Sequence, residues 1–211
     1  MPHRLQITMS FLDRSFQNSY FTAMARKKEF DKDKAVGAAI DVFREHGFEG
    51  TSTEMLVRAM KIGRQSLYDT FGDKWALYRL AVERYAFEET EAHVTMLRSQ
   101  RRAVDGIAAM IERVVERGHC ACLGVNSICE FGQSRPELNA LHHAADNRLR
   151  KAAVECIKQA QAENDVEKSL SAEAVASFLI TSIAGIRIAA RGGSPRAELE
   201  SLGELAIRAI R

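Results

Sequence analysis

The sequence predicts an all-α protein, and three observations carry that expectation. Proline occurs only three times in 211 residues, at Pro2, Pro136 and Pro195, so long stretches lack the residue that most strongly interrupts a helix. Ala, Glu, Arg and Leu dominate those stretches, and all four favour helix. Apolar residues recur in them at helical spacing. With 46% hydrophobic residues the chain can bury a real core, and its length suits one extended domain or two small ones.

Residues 1–24 mix aromatic and polar residues without a helical period and are expected to form a disordered extension. Met24-Ala-Arg-Lys-Lys reads as a natural start. From Asp31 the pattern sharpens, with Ala35, Ala38, Ala39, Val42 and Phe43 on one helical face. His46-Gly47 closes this helix, because glycine accepts the left-handed cap. Thr51-Ser-Thr-Glu54 then has the form of a capping box and opens a second helix, from about Ser52 to Met60. After a break at Lys61-Ile62-Gly63, a third helix from Arg64 to Phe71 buries Leu67 and Phe71 and displays Arg64, Gln65, Ser66, Tyr68, Asp69 and Thr70. Two short helices across a tight turn have helix-turn-helix geometry. The N-terminal unit is therefore placed at residues 25–73.

Asp73 is positioned to cap a long helix from Lys74 to about Arg98. Further helices are expected from about Ala103 to Arg117, Val125 to Phe131, Pro136 to Ala162, Ser171 to Ala190 and Pro195 to Arg211. Together they make residues 74–211 a larger helical domain for ligand binding and dimerisation. Val175, Phe178, Leu179, Ser182 and Ile186 form one stripe, and Leu138, Leu141, Ala145, Leu149, Ala152 and Cys156 another. The two stripes are expected to pair with their copies in a four-helix bundle.

Net charge is only +2, and residues 26–74 carry ten basic against nine acidic residues, so bulk electrostatics do not mark a nucleic-acid binder. The placement of side chains does. A recognition helix of eight residues spans about 12 Å, short enough to lie in a major groove. Arg64 and Gln65, at its N-terminal end, suit guanine and adenine edges. Ser66, Tyr68 and Thr70 suit phosphates, which set register without reading sequence. Ser52 and Thr53 open the second helix and Lys74 the fourth, at ends that favour anions. Arg26, Lys27 and Lys28 are expected to form an arm that reaches the minor groove.

The run from Ala35 to Leu77 closely resembles the tetracycline-repressor (TetR/AcrR) family of bacterial regulators. The residues that carry it are Ala-Ile-Asp-Val-Phe-Arg-Glu-His-Gly-Phe-Glu-Gly-Thr-Ser from Ala39 and Gly-Arg-Gln-Ser-Leu-Tyr-Asp-Thr-Phe-Gly-Asp-Lys from Gly63. The resemblance implies an all-helical homodimer that binds a palindromic operator and is released by an inducer bound in its C-terminal domain. It also implies DNA contacts at Thr51, Ser52, Arg64, Ser66, Tyr68, Thr70 and Lys74, with Gln65 a base reader. Two positions depart from the family pattern. Lys61 stands where glycine is usual in the turn, and Gly63 replaces a serine or threonine cap, which costs about a few tenths of a kcal/mol.

A weaker resemblance covers His119-Cys-Ala-Cys-Leu-Gly-Val-Asn-Ser-Ile-Cys-Glu-Phe-Gly and the following Arg-Pro-Glu-Leu. It is similar to a TetR subgroup that includes electrophile-sensing repressors. The alternative reading is accordingly a thiol-based redox or electrophile sensor, with Cys122 ahead of Cys120 near Arg113, Arg117 and His119. The ligand region is placed among Phe87, Met96, Met110, Cys122 and Phe131.

Other classes find little support. The mostly apolar run from Ala174 to Ile186 is shorter than the roughly 20 residues of a membrane span, so a cytoplasmic protein is expected, its four cysteines as thiols. A single Glu-x-x-His run, Glu116 to His119, is interrupted by Gly118, whereas a di-iron site needs two. Phosphate-loop, zinc-protease and nucleophile-elbow motifs do not occur. No catalytic residue, metal or cofactor is expected. A helical enzyme and a non-inducible DNA-binding adaptor remain the minor alternatives.

Overall fold

Among the described residues helices form along the periodic apolar faces, four of them behind a capping side chain, and there is no strand. The computed structural model describes residues 30–211. The extension to residue 24, the start at Met24 and the Arg26, Lys27, Lys28 arm lie outside the described residues. The helices are α1 (Lys32–His46), α2 (Thr53–Met60), α3 (Arg64–Phe71), α4 (Lys74–Leu97), α5 (Ala103–Glu116), α6 (Leu123–Phe131), α7 (Pro136–Ala162), α8 (Ala172–Arg191) and α9 (Arg196–Arg208).

Local chemistry explains most boundaries. Gly47, at φ +69°, ends α1 and donates its N–H to the Phe43 carbonyl at 2.8 Å, a conformation that costs glycine little. Asp73 accepts from the Ala76 N–H at 2.7 Å and starts α4. Ser171 does the same for α8 through Ala174 at 3.2 Å. The lysine in the turn does adopt the left-handed conformation, Lys61 having φ 55° and ψ 38°. The Ile62 N–H then reaches the Val57 carbonyl at 3.2 Å, the long bond of a Schellman motif that satisfies an otherwise orphaned carbonyl. Gly63 caps α3 without a side-chain bond.

One cap differs from expectation. Ser52, not Thr51, is the N-cap of α2 and accepts from the Met55 N–H at 3.2 Å. Thr51 is 2% exposed and its hydroxyl donates to the Gly47 carbonyl at 2.5 Å. Glu54 does not close a capping box and turns instead to Arg64. A tertiary partner displaced the local one.

The C-terminal helices share one core. α4 packs against α5 and α7, α7 against α8, and α9 bridges α5 and α8. Ile107, Met110, Val114, Ile157, Ala160, Ala176 and Leu179 are fully buried there. Gly106 lets α5 start against the end of α4, since a Cβ would sit 2.3 Å from the Leu97 carbonyl oxygen. By length and composition α8 could cross a membrane. Here its inner face, Val175, Ala176, Leu179, Ile183, Ile186 and Arg187, lies in the core.

The expected stripes therefore divide differently. Leu138, Ala152 and Cys156 of α7 are buried within the subunit, as are Val175, Leu179 and Ile186 of α8. Besides Leu80 and Phe87 of α4 and Ile128 of α6, apolar side chains are left open on α8 and α9, where Phe178, Ile188, Leu202 and Leu205 are exposed. Phe178, Ser182, Gly185, Leu202, Leu205 and Ala209 line a shallow groove there. Leu141, Ala145 and Leu149 of α7 are half-buried.

Candidate nucleic-acid interface

α3 buries Leu67 completely and turns a polar face outward. Arg64, Gln65 and Tyr68 are exposed and Ser66 and Thr70 half-buried. The base-reading candidates are held by acidic partners. Arg64 Nη1 donates to Glu54 Oε1 at 3.0 Å, and Gln65 Nε2 to Asp69 Oδ1 at 2.8 Å. Exposed pairs of this kind contribute little, so a base edge or phosphate can replace either carboxylate. The Arg64 guanidinium also lies 5.9 Å from the Tyr68 ring centre. A hydrogen bond with Thr53, and then the contact with Arg64, hold the Tyr68 hydroxyl below its ordinary pKa. Thr53, Arg64 and Tyr68 thus form one polar surface across α2 and α3.

Two further expected contact residues, Thr51 and Lys74, also have partners within the unit. Thr51 is buried against Gly47, as described above. Lys74 Nζ donates to the Thr51 carbonyl at 2.7 Å and sits 4.2 Å from the Phe48 ring centre. Both side chains have partners within the protein, so they fix the angle between α4 and the loop before α2. Ser52 remains exposed at the α2 N-terminus, its oxygen occupied by the cap.

An aromatic cluster joins this unit to the C-terminal helices. Phe48 lies edge-on to Trp75 at 5.2 Å and to Tyr78 at 5.1 Å, and Phe131 of α6 is 5.8 Å from Phe48 and 5.4 Å from Trp75. Polar bonds surround it. The Glu130 carboxylate accepts the Phe48 and Glu49 N–H groups at 2.9 and 2.8 Å, and Asn126 Nδ2 donates to the Arg44 carbonyl at 2.8 Å. Trp75 Nε1 donates to Glu137 at 3.2 Å, with Arg135 4.7 Å above the indole. These bonds tie α6 to the loop between α1 and α2.

The residues named for the ligand region are dispersed. Phe87 is 63% exposed on α4, Met110 is fully buried and Met96 is packed against the core. Phe131 belongs to the aromatic cluster. Cys122 is the N-cap of α6, its Sγ accepting from the Val125 N–H at 3.5 Å. Cys129 is exposed and Cys120 half-buried. Cys156 donates to the Leu97 and Ala103 carbonyls, and burial pushes its thiol up to about 11. A cleft of about 560 Å³ lies between α5 and α9, lined by Ile111, Val115, Gly203 and Ile207 with charged residues at its rim.

The interior also holds a charged cluster that the sequence reading did not single out. Glu89 of α4 is gripped by both Arg113 of α5, with two contacts of 2.9 Å, and Arg187 of α8. His93 Nε2 approaches the same carboxylate at 3.5 Å. Burial alone would raise the Glu89 pKa; the Arg113 bonds and the Arg187 charge outweigh it and bring the group down to about 2. Burial, reinforced by Arg187 and Arg113, takes His93 down to about 4 against the pull of Glu89, so it is neutral at pH 7. Two signals were available: Tyr85, Glu89 and His93 at i, i+4 and i+8, and Arg187 within an otherwise uncharged run. The same holds for Asn126 and Glu130, polar positions on short α6.

Among the described residues no group of three or more His, Cys, Asp or Glu side chains is arranged to hold a metal ion. The family model for bacterial regulatory proteins of the tetR family matches residues 36–81, and that for the tetracyclin repressor-like C-terminal domain matches residues 97–201. A cysteine-substituted form of the TetR family transcriptional regulator CifR, complexed with 26-bp double-strand operator DNA, is 30% identical, covers 87% of this chain and 99% of its own, and superposes with a TM-score of 0.71. The chain belongs to the TetR family.

Two curated relatives agree with that placement. The HTH-type transcriptional repressor ComR of Escherichia coli (strain K12) is 27% identical over 197 residues, 88% of this chain and 90% of its own. The HTH-type transcriptional regulator YezE of Bacillus subtilis (strain 168) is 37% identical over 121 residues, 54% of this chain and 62% of its own length. As a TetR-family protein, the chain has its DNA-binding match over α1 to α3 and the start of α4, and its C-terminal match from the last residue of α4 onward. The helix α4 thus links the two matched regions without a break.

Proposed function

We propose that the chain is a cytoplasmic, ligand-responsive transcriptional repressor that binds a palindromic operator as a homodimer. The observation that carries this reading is the polar surface of α2 and α3, in which exposed Arg64, Gln65 and Tyr68 are fixed by a buried Leu67. The operator complex of CifR and the repressor ComR support it. Arg64 and Gln65 read base edges after exchanging Glu54 and Asp69 for DNA, while Ser52, Thr53, Ser66, Tyr68 and Thr70 set register on phosphates. Repression follows from occupancy of the operator.

Selection of binding sites from random duplex DNA tests the function, and an enriched two-fold site is the expected result; no enrichment rejects it. Within the recovered site, Arg64→Ala is expected to relax the preference at one base position by about 5- to 150-fold. An equal loss on all sequences would make Arg64 a phosphate contact.

For the dimer, the open apolar face of α8 and α9 is the surface that needs a partner, since contiguous exposed apolar patches mark interaction sites. A second copy docks there about a two-fold axis and brings two recognition helices to successive major grooves, about 34–36 Å apart. Leu205, 55% exposed, lies within this face. Leu205→Glu is expected to convert the dimer to monomer in sedimentation equilibrium and to lower operator affinity with it, and an unchanged dimer would move the interface elsewhere. An inducer bound between α4 and the later helices would change the separation of the reading heads, so ligand and operator affinities are reciprocally linked.

A further inference from the structure

The charged cluster inside the C-terminal domain is unbalanced. Tyr85, Glu89 and His93 share one face of α4, Arg113 enters from α5 and Arg187 from α8. The Arg113 fork occupies both oxygens of Glu89, at 2.9 Å each. Arg187 adds a further N–H to Oε1, the atom that His93 Nε2 also approaches. Two guanidinium groups therefore share one carboxylate, and one positive charge has no counterpart. Arg187 is 7% exposed, and among the described residues its hydrogen bonds go to Glu89 alone, through Nη2. An interior charge is costly without a partner, and a guanidinium fork matches a carboxylate in two parallel bonds.

An independent observation lies on the same face. His93 is 4% exposed, and its Nδ1 is buried without a hydrogen-bond partner. With Nε2 turned to Glu89, Nδ1 is left as an acceptor and suits an O–H donor. The neighbouring side chains in sequence are apolar and belong to the core: Met110 stands one turn before Arg113, and Ile183 and Ile186 precede Arg187 on α8.

We propose that this cluster is the binding site of a small organic acid with an apolar body, its carboxylate on the free donors of Arg187 and any hydroxyl directed to His93 Nδ1. The inference rests on the reading of the chain as a ligand-responsive repressor and names the chemical class of the inducer. Its position explains how binding would be transmitted. α4 carries Glu89 and His93 and continues without interruption to Lys74 and Trp75 at the DNA-binding unit, while α8 carries Arg187 on one side and the open apolar face on the other. A ligand that draws Arg187 away from Glu89 shifts α8 against α4.

The test uses the full chain and a panel of monocarboxylates: acetate, butyrate, hexanoate, octanoate, benzoate, phenylacetate and 4-hydroxybenzoate, each beside its primary amide. Thermal unfolding and operator affinity are measured in the same series. At a hundredfold excess over its Kd, at least one acid is expected to raise the Tm by about 5–10 °C and to weaken operator binding about 5- to 150-fold, while its amide does neither. Arg187→Met is expected to lose the shift, and Glu89→Gln, which frees a second guanidinium, to strengthen it. If no acid exceeds its amide on the wild-type protein, the proposal is overturned whether or not the variants fold. A folded Arg187→Met that keeps the wild-type shift overturns it too, as does an acid that binds without changing operator affinity. Failure of the ligand-free protein to bind any operator rejects the repressor reading instead, and the Tm comparison still decides whether the site takes carboxylates.

Discussion

Glu89→Gln lowers the free energy of unfolding by about 3–5 kcal/mol, the range for removing one partner of a buried ion pair. The amide keeps the shape of the side chain and removes the charge that Arg113 and Arg187 share. Equilibrium denaturation in urea at pH 7 reads the effect, and a loss below about 1 kcal/mol would show that solvent already screens the two guanidinium groups.

The same cluster sets an acid limit on stability. Glu89 titrates in the folded protein at about 2, below its ordinary 4.5, so its contribution is complete above that ordinary value and is lost as the pH falls toward 2. His93 titrates at about 4 instead of 6.5; the unfolded chain binds its proton more readily, so stability falls from about pH 6.5 downward. Both groups act in the same direction. Wild-type stability therefore declines from pH 6.5 to 2, and Glu89→Gln flattens the part below 4.5.

The second large effect is expected at Phe43. Its side chain is fully buried and edge-on to Tyr78, with ring centres 5.0 Å apart. Phe43→Ala is expected to cost about 3–5 kcal/mol, because the lost burial is joined by a cavity that α1 and α4 cannot both close. Tyr78 is itself fully buried, which pushes its hydroxyl up to about 12. The loss should appear in urea unfolding and be accompanied by weaker operator binding, since Phe43 helps to seat the DNA-binding unit on α4. A cost under 1 kcal/mol would mean that α1 collapses onto α4.

Much of this was legible before any coordinates. Asp73, Ser171, Gly47 and Pro136 mark helix ends through interactions with residues at most four positions away, and those ends fall within a residue or two of expectation. The recognition helix was legible for the same reason: Leu67 on one side and Arg64, Gln65 and Tyr68 on the other is a pattern of eight consecutive residues. The family's pattern at Thr51 and Lys74 was present as well. The bond from Lys74 to the Thr51 carbonyl 23 residues away was not legible, because no local rule predicts it.

By itself the sequence determined an all-helical chain, the place of its helix-turn-helix and the family to which it belongs, because caps, turn residues and apolar periodicity act over one or two turns. The tertiary structure decided which stripe of α8 lies inside, that α9 carries exposed apolar residues beside those of α8, and that Arg187 meets Glu89 across 98 residues. Those outcomes depend on competition among helices for the same buried surface and on charges that must find partners once water is excluded. Such choices belong to the assembled core, and no single helix contains them.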